Sequence, residues 1–592
     1  MTDPAAAPRL AVDYLEPAVA RRDLADGSFV LSSPTPLGAY PDQLGLLLRH
    51  WAESRPEALF LAERDGEGWR RMSYRAVRAR VDRLATGLLV RGLDRQRPVM
   101  ILSGNSVNFA LLTLAAMQVG IPVAPISPAY SLMSQDHAKL KAIRDLVRPA
   151  LIYVEAHEPF VPALAALDWS EEDLLVGGSA LEALEREPDE AMERAFAAVG
   201  PDSVAKILFT SGSTGHPKGV INTQRMLCAN QKQQSLCCPV YGETPPVILD
   251  WMPWNHTFGG NFDFNLCLWY GGSLYIDAGR PLPGMIEETV RNLREVSPTL
   301  YFNVPAGFAA LLPFLEADED LNRRFFARLK IIFYAGAALP PDLWRRLEVL
   351  SVQALGHKVA MQSAWGSTET APLSTIVHWP IDRAGVIGLP VPGVELKMVP
   401  IADKYEMRVK GPNVFPGYLD APEQTAAAFD EDGFYRIGDA GRLREPEDPV
   451  QGVVFDGRVS EEFKLTTGTW VAVGAVRVAA LAACSPWLQD AVVAGHDRDY
   501  VALLAWPSAQ GAAREAADLR ADLAAALSAY NADNPGSSTR VRRLLLLDSP
   551  PSSDANEITD KGYINQRAAL ERRAAAVERL FAETPDEDVI VV

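Results

Sequence analysis

The sequence predicts an α/β protein, with a large N-terminal domain of layered, mostly parallel sheets and helices and a small α+β C-terminal domain. Three observations carry this expectation. Strand-like apolar runs alternate with helix-like runs through most of the chain, the pattern of layered parallel sheets. At 592 residues the chain is too long for one compact core. The composition also changes near residues 444–452, where Glu445-Pro446-Glu447-Asp448-Pro449 reads as an exposed turn ahead of Ala- and Arg-rich amphipathic stretches.

In chain order, residues 1–34 read as an N-terminal extension, since the first seventeen are rich in Ala and Pro. Residues 99–102 read as a strand, 109–118 as a helix and 121–125 as a second strand. Residues 204–209 and 330–334 are short apolar strands that end at glycine-containing loops. The large domain is expected over 35–457 and the small one over 458–592, with the boundary in the loop near 456–460. Helices are expected at 512–529 and 564–581 in the small domain.

Several function classes are disfavoured. A net charge of −18 argues against a nucleic-acid face and against an anionic membrane surface. The longest apolar stretch, 107–126, is interrupted by Asn108, Gln118 and Gly120-Ile121-Pro122, which suits a buried helix and strand rather than a span of roughly 20 apolar residues. No basic start leads into an apolar run, so the N-terminus does not read as a signal peptide. Cys228, Cys237, Cys238, Cys267 and Cys484 show no CxxC spacing, which indicates neither zinc nor a disulfide framework and favours a reducing, cytoplasmic setting.

The densest chemical signal is Ile207-Leu208-Phe209-Thr210-Ser211-Gly212-Ser213-Thr214-Gly215-His216-Pro217-Lys218-Gly219. An apolar strand runs straight into a loop of glycines, hydroxyls and one lysine. Glycines let backbone N–H groups turn towards an anion, hydroxyls add donors, and Lys218 adds a point charge for a polyphosphate. It is not a Walker A loop, because Pro217 precedes the lysine and Gly219 follows it, which excludes a P-loop kinase.

This segment resembles the signature of the adenylate-forming superfamily, which includes acyl-CoA synthetases, firefly luciferase and the adenylation domains of peptide synthetases. Further resemblances follow in the family's order. Met252-Pro253-Trp254-Asn255-His256-Thr257-Phe258-Gly259-Gly260 is similar to the motif whose aromatic or His, here His256, sits between acyl carboxylate and phosphates. Tyr334-Ala335-Gly336-Ala337-Ala338 resembles the loop framing adenine, with Ala338 where the family has proline. Trp365-Gly366-Ser367-Thr368-Glu369 resembles the segment whose aromatic packs on adenine, whose Thr meets phosphate and whose Glu holds Mg²⁺. Gly438-Asp439 and Gly457-Arg458 resemble the ribose contacts.

Beyond Arg458 the chain departs from the commonest pattern: Ser460 stands at the hinge, and Gly474-Ala475-Val476-Arg477-Val478 replaces expected acidic residues. Asn556-Glu557-Ile558-Thr559-Asp560-Lys561-Gly562-Tyr563 resembles the C-terminal motif whose lysine completes the adenylation site. The forms around Trp254, Phe463 and Asn556 look like the bacterial feruloyl-CoA synthetase branch, which activates ferulate, caffeate and p-coumarate.

The resemblance implies an ATP-dependent acid:CoA ligase with a mobile C-terminal lid domain, releasing AMP and pyrophosphate. It places Lys561, His256, Lys218 and Thr368 in catalysis. Thr210 to Gly215, Lys218, Gly336 to Ala338, Trp365 to Thr368, Asp439 and Arg458 would hold ATP, and Glu369 would hold Mg²⁺. Lys464 and Gly468 would serve coenzyme A in the thioester step, after the lid rotates. Trp254, His256, Phe258, Phe262, Asn303 and Trp365 would line the acid pocket. The implied partners are small molecules (a carboxylic acid, ATP and CoA), with a homodimer admitted. The competing readings are a ligase for another aryl or medium-chain acid, a stand-alone adenylation domain, and a non-catalytic nucleotide-binding protein on the same fold.

Overall fold

The computed structural model describes residues 6–211, 217–401, 404–552, 554–558 and 564–592. Within them the α/β class holds, with three sheets in the body and two in the C-terminal segment.

The largest sheet has eleven strands. Its order runs from Ala20–Asp23 and Phe29–Ser32 through Glu395–Ile401, Lys404–Lys410, Tyr435–Leu443, Val453–Arg458, Val386–Pro390 and Leu373–Ile376 to Ala360–Gly366, Ile331–Tyr334 and Leu300–Asn303. Only its last three strands are mutually parallel; the rest pair antiparallel. The expectation of mostly parallel strands therefore suits the other two body sheets better. Val204–Ser211, Val123–Pro125, Val99–Ile101, Leu151–Val154 and Leu174–Val176 form a parallel array, and Val247–Asp250, Ser273–Ile276 and Leu59–Asp65 form another. Antiparallel meanders tolerate one wetted face, and their mixed patterning is harder to read than the continuous apolar runs of buried parallel strands.

The expected extension at 1–34 is corrected by the same sheet. Phe29–Ser32 pairs with Glu395–Ile401, Phe29, Val30 and Leu31 are buried, and Leu10 N–H donates to Lys358 O at 2.8 Å. A strand that shares a core and a ladder is part of the body, whatever the composition ahead of it.

The helix read at 109–118 spans Val107–Gln118, capped by the Ser106 hydroxyl accepting from Phe109 N–H at 3.0 Å. Every residue in it is buried, which explains its largely apolar character without a membrane. Among the described residues no helix is long and apolar enough to cross one. All five cysteines are free and buried.

In the C-terminal segment, Leu488–Ala494, Val501–Pro507, Val541–Leu546 and Val589–Val591 form a sheet with its own cores on both faces. The helix expected at 512–529 is Ala516–Asp533, after a short turn at Ala509–Ala512. The one expected at 564–581 is broken into Gln566–Arg572 and Ala574–Phe581. At the break, the Arg573 guanidinium reaches back to Glu557 at 2.7 Å.

Candidate active site

Strand ends and loops of the body, with helices and loops of the C-terminal segment, enclose a cleft of about 2060 Å³. Thr210, Lys218, His256, Phe258, Phe262, Gly336, Ala337, Ala338, Trp365, Gly366, Ser367, Thr368, Glu369, Asp439 and Arg458 all line it. Gly212, Ser213, Thr214, Gly215 and Lys561 lie outside the described residues. Asn556, which opens the C-terminal motif, and Ile564, which follows it, border the cleft.

The phosphate segment is a hairpin in which Pro217–Thr223 returns antiparallel along Val204–Ser211, setting Lys218 directly opposite Thr210. Cross-strand partners emerge on one face, so the ammonium and the hydroxyl point the same way. His256 lies in the loop before a π-helical turn, Phe258–Asp263. Such turns are rare and recur at functional sites. Two glycines make this one fit: a Cβ on Gly259 or Gly260 would meet the carbonyl oxygen of Met252 or Trp254 at 2.3 Å. Phe258 N–H donates to His256 Nδ1 at 3.3 Å, which leaves Nε2 to carry the proton of the neutral ring.

A buried polar chain ties three of these segments together. Lys206 Nζ donates to Gly260 O at 2.7 Å and to Asn261 Oδ1 at 3.2 Å. Asn261 Nδ2 donates to Asn222 Oδ1 at 2.7 Å, and Asn222 Nδ2 donates to Thr368 O at 3.3 Å. Burial pushes the Lys206 amine down to about 7. The hairpin, the π-turn and the Ser367–Glu369 segment thus share one set of hydrogen bonds; Gly260 and Thr368 belong to the motifs, while Lys206 and Asn222 were given no role there.

Ser367–Glu369 is a tight turn in which the Ser367 hydroxyl accepts from Glu369 N–H at 3.2 Å. Glu369 Oε1 accepts from the Tyr418 phenol at 3.0 Å. One buried carboxylate facing a cleft, beside a residue that would hold phosphate, suits Mg²⁺, which takes one or two carboxylates and completes its shell with phosphate and water.

Asp439 is buried, and burial raises its pKa above the ordinary carboxylate value. The Trp365 indole N–H donates to its Oδ2 at 2.7 Å. Arg458 Nε stands 3.0 Å from Oδ1 without the alignment of a hydrogen bond, so Oδ1 keeps acceptor capacity. A buried carboxylate oxygen with no donor fits the hydroxyls of a ribose. The expected aromatic is thus present, and its edge is tied to Asp439.

Four expected residues lie elsewhere. Trp254 does not border the cleft; it packs edge-on to Phe109 and Phe264 at 5.4 and 5.0 Å, between helices. Asn303 is buried and also away from the cleft, its Oδ1 accepting from Val304 N–H at 2.9 Å and its Nδ2 on the Tyr301 phenol at 3.4 Å. In its place Phe333 joins Phe258 and Phe262 as an aromatic wall, with centroids 5.8 and 5.0 Å away. Lys464 and Gly468 belong to the Phe463–Lys464 and Trp470–Val471 hairpin, outside the cleft. The Lys464 ammonium lies over Trp470 at 4.9 Å. Tyr418 and Arg280 line the cleft without having been anticipated, because neither sits in a segment that carries a local signal.

Comparison with known proteins agrees with this arrangement. The AMP-binding enzyme family model matches residues 48–419, and the AMP-binding enzyme C-terminal domain model matches 470–585. A feruloyl-CoA synthase of Amycolatopsis sp is 29% identical over 389 residues, 63% of this chain and 71% of that one. A ligase of Rhodococcus jostii (strain RHA1), named for CoA ligation of a propanoyl group on a methyl-dioxo-octahydroindenyl ring system, is 31% identical over 251 residues, 42% of this chain; the match spans 45% of that relative's length. The adenylation domain of a carboxylate reductase from Mycobacterium chelonae superposes with a TM-score of 0.73 at 22% identity, covering 92% of each chain. With its family model covering well over half of its length and its strand ends converging on one cleft, the chain belongs to the AMP-binding enzymes, the adenylate-forming superfamily.

Proposed function

We propose that the chain is an AMP-forming acid:CoA ligase that joins a planar aromatic acid, a hydroxycinnamate such as ferulate, first to AMP and then to coenzyme A. The observation that carries this reading is the convergence on one cleft of a Thr210–Lys218 pair, Glu369 and Asp439, facing an aromatic wall of Phe258, Phe262 and Phe333.

A carboxylate is a poor acyl donor because its leaving group would be oxide; an adenylate replaces oxide with AMP. The residues divide that work. Lys218 and Thr210 hold the outer phosphates, Asp439 the ribose, and the 336–338 loop the adenine. Lys561 would bridge the acid and the α-phosphate, where negative charge gathers in the transition state. Mg²⁺ on Glu369 would supply charge neutralisation to the polyphosphate. The acid's ring lies against the phenylalanines, with His256 between its carboxylate and the phosphates. For the second step, residues 458–592 act as a lid that rotates, withdrawing Lys561 and bringing Lys464 and Gly468 to the CoA thiol. The present orientation, with Lys464 away from the cleft, supports an adenylation arrangement.

A second reading is favoured by Asn303. Turned to Tyr301 and Val304, it offers nothing to a ring hydroxyl, so an aryl acid without hydroxyls suits the same wall. The test is ATP–pyrophosphate exchange and thioester formation, scored as kcat/KM over ferulate, caffeate, p-coumarate, benzoate and medium-chain acids. Ferulate-type acids should lead the panel. No ATP-to-AMP turnover with any acid and CoA would remove the ligase reading.

A further inference from the structure

Tyr418 stands between Lys218, assigned to the phosphates, and Glu369, assigned to Mg²⁺. Residues 417–419 run beside the phosphate hairpin: Ile221 N–H donates to Gly417 O at 3.4 Å, Leu419 N–H donates to Gly219 O at 2.8 Å, and Tyr418 bridges to Val220. The Tyr418 phenol donates to Glu369 Oε1 at 3.0 Å, and Lys218 Nζ lies 4.9 Å from the centroid of the same ring. Phe415 fixes the ring from the side, edge-on at 4.8 Å. Burial raises the phenol's pKa, so it remains a donor to the carboxylate.

An ammonium and a carboxylate in a partly desolvated cleft attract each other more strongly than an ammonium attracts a ring face. Brought together, they would close into a pair that presents neither charge to a ligand. Among the described residues they do not do so: Lys218 rests on the ring, and Glu369 accepts from the ring's hydroxyl. We propose that Tyr418 is a charge-spacing positioning residue, holding Lys218 and Glu369 apart so that one stays free for phosphate oxygens and the other for a divalent cation. This rests on the assignment of Lys218 and Glu369 made for the proposed function, and it concerns binding rather than turnover.

The test compares Tyr418→Phe with Tyr418→Leu in the full chain. Three quantities are read: Mn²⁺ binding in the presence of a non-hydrolysable ATP analogue, by electron paramagnetic resonance; metal-free ATP binding, by calorimetry; and thermal unfolding, as a control for folding. Tyr418→Phe keeps the ring and loses only the phenol, so Mn²⁺ affinity should fall about tenfold, the scale of one hydrogen bond to a charged group, while metal-free ATP binding holds. Tyr418→Leu removes the spacer, and both affinities should fall by about tenfold or more as Lys218 closes on Glu369. Adding Glu369→Gln to Tyr418→Leu should restore metal-free ATP binding, because Lys218 then has no carboxylate to close on. Unchanged Mn²⁺ affinity in Tyr418→Phe, or no recovery in the double variant, overturns the proposal. A wild-type chain that binds ATP and Mn²⁺ but turns over no acid would instead sink the proposed function and leave this comparison intact.

Discussion

The two walls of the cleft are built on different principles. The proposed nucleotide wall takes its polar residues in pairs: Thr210 and Lys218 from one hairpin, Thr368 and Glu369 from one turn, and Asp439 and Arg458 as facing residues of two neighbouring strands. The proposed acid wall takes Phe258 and Phe262 from a π-turn and Phe333 from a strand some seventy residues later. A wall that must meet phosphate needs charge and hydroxyls in a set order, and those residue types are unusual when crowded. A wall that would meet an aromatic ring, as proposed, uses the residues of any core. Trp254 and Phe262 make the point: both are buried, at 4% and 1% exposure, yet only Phe262 borders the cleft.

The sharpest way to break this contrast is Trp254→Ala. If Trp254 is core alone, it should lose about 3–5 kcal/mol in chemical unfolding, as large aromatic deletions do, with the ranking of acids by kcat/KM unchanged. A changed ranking would return Trp254 to the acid wall. On the nucleotide side, Lys561→Ala should slow adenylate formation about a hundredfold, roughly 3 kcal/mol, and spare thioester formation from supplied acyl-adenylate. Equal loss of both half-reactions would contradict the division between Lys561 and Lys464. A smaller effect is expected from Phe262→Ala, which should shift the kcat/KM ratio by about tenfold towards bulkier acids while the KM for ATP stays constant.

The gentlest probe is pH. Because burial raises the Asp439 pKa, its carboxylate is lost on acidification earlier than an ordinary aspartate would be. Protonation removes the partner of Arg458 and an acceptor for the ribose, so the KM for ATP should rise severalfold as pH falls through that raised value, with little change above it. Asp439→Asn should flatten the profile at a uniformly raised KM. A profile that keeps its slope in that variant would mean another group titrates.

Much of the fold and half of the site were legible beforehand. The strand–loop run into Thr210, the buried helix at Val107–Gln118 and the division into a body and a smaller C-terminal unit all follow from hydrophobic period and local composition. The polar residues of the nucleotide wall were named by type and order. Asn303 was misplaced because a carboxamide beside an aromatic can equally serve a ligand or its own backbone, and no local pattern separates the two.

The sequence alone therefore determined the α/β class, the family motifs and the cations and carboxylates available to a triphosphate, because each is a property of residues that are neighbours in the chain. Tertiary structure alone decided that Phe29–Ser32 joins the main sheet across more than 360 residues, that Lys206, Asn261 and Asn222 lock three loops together, and that Tyr418 stands between Lys218 and Glu369. Those outcomes depend on which distant strands pair and which faces pack, and no window of sequence holds both partners of such a contact.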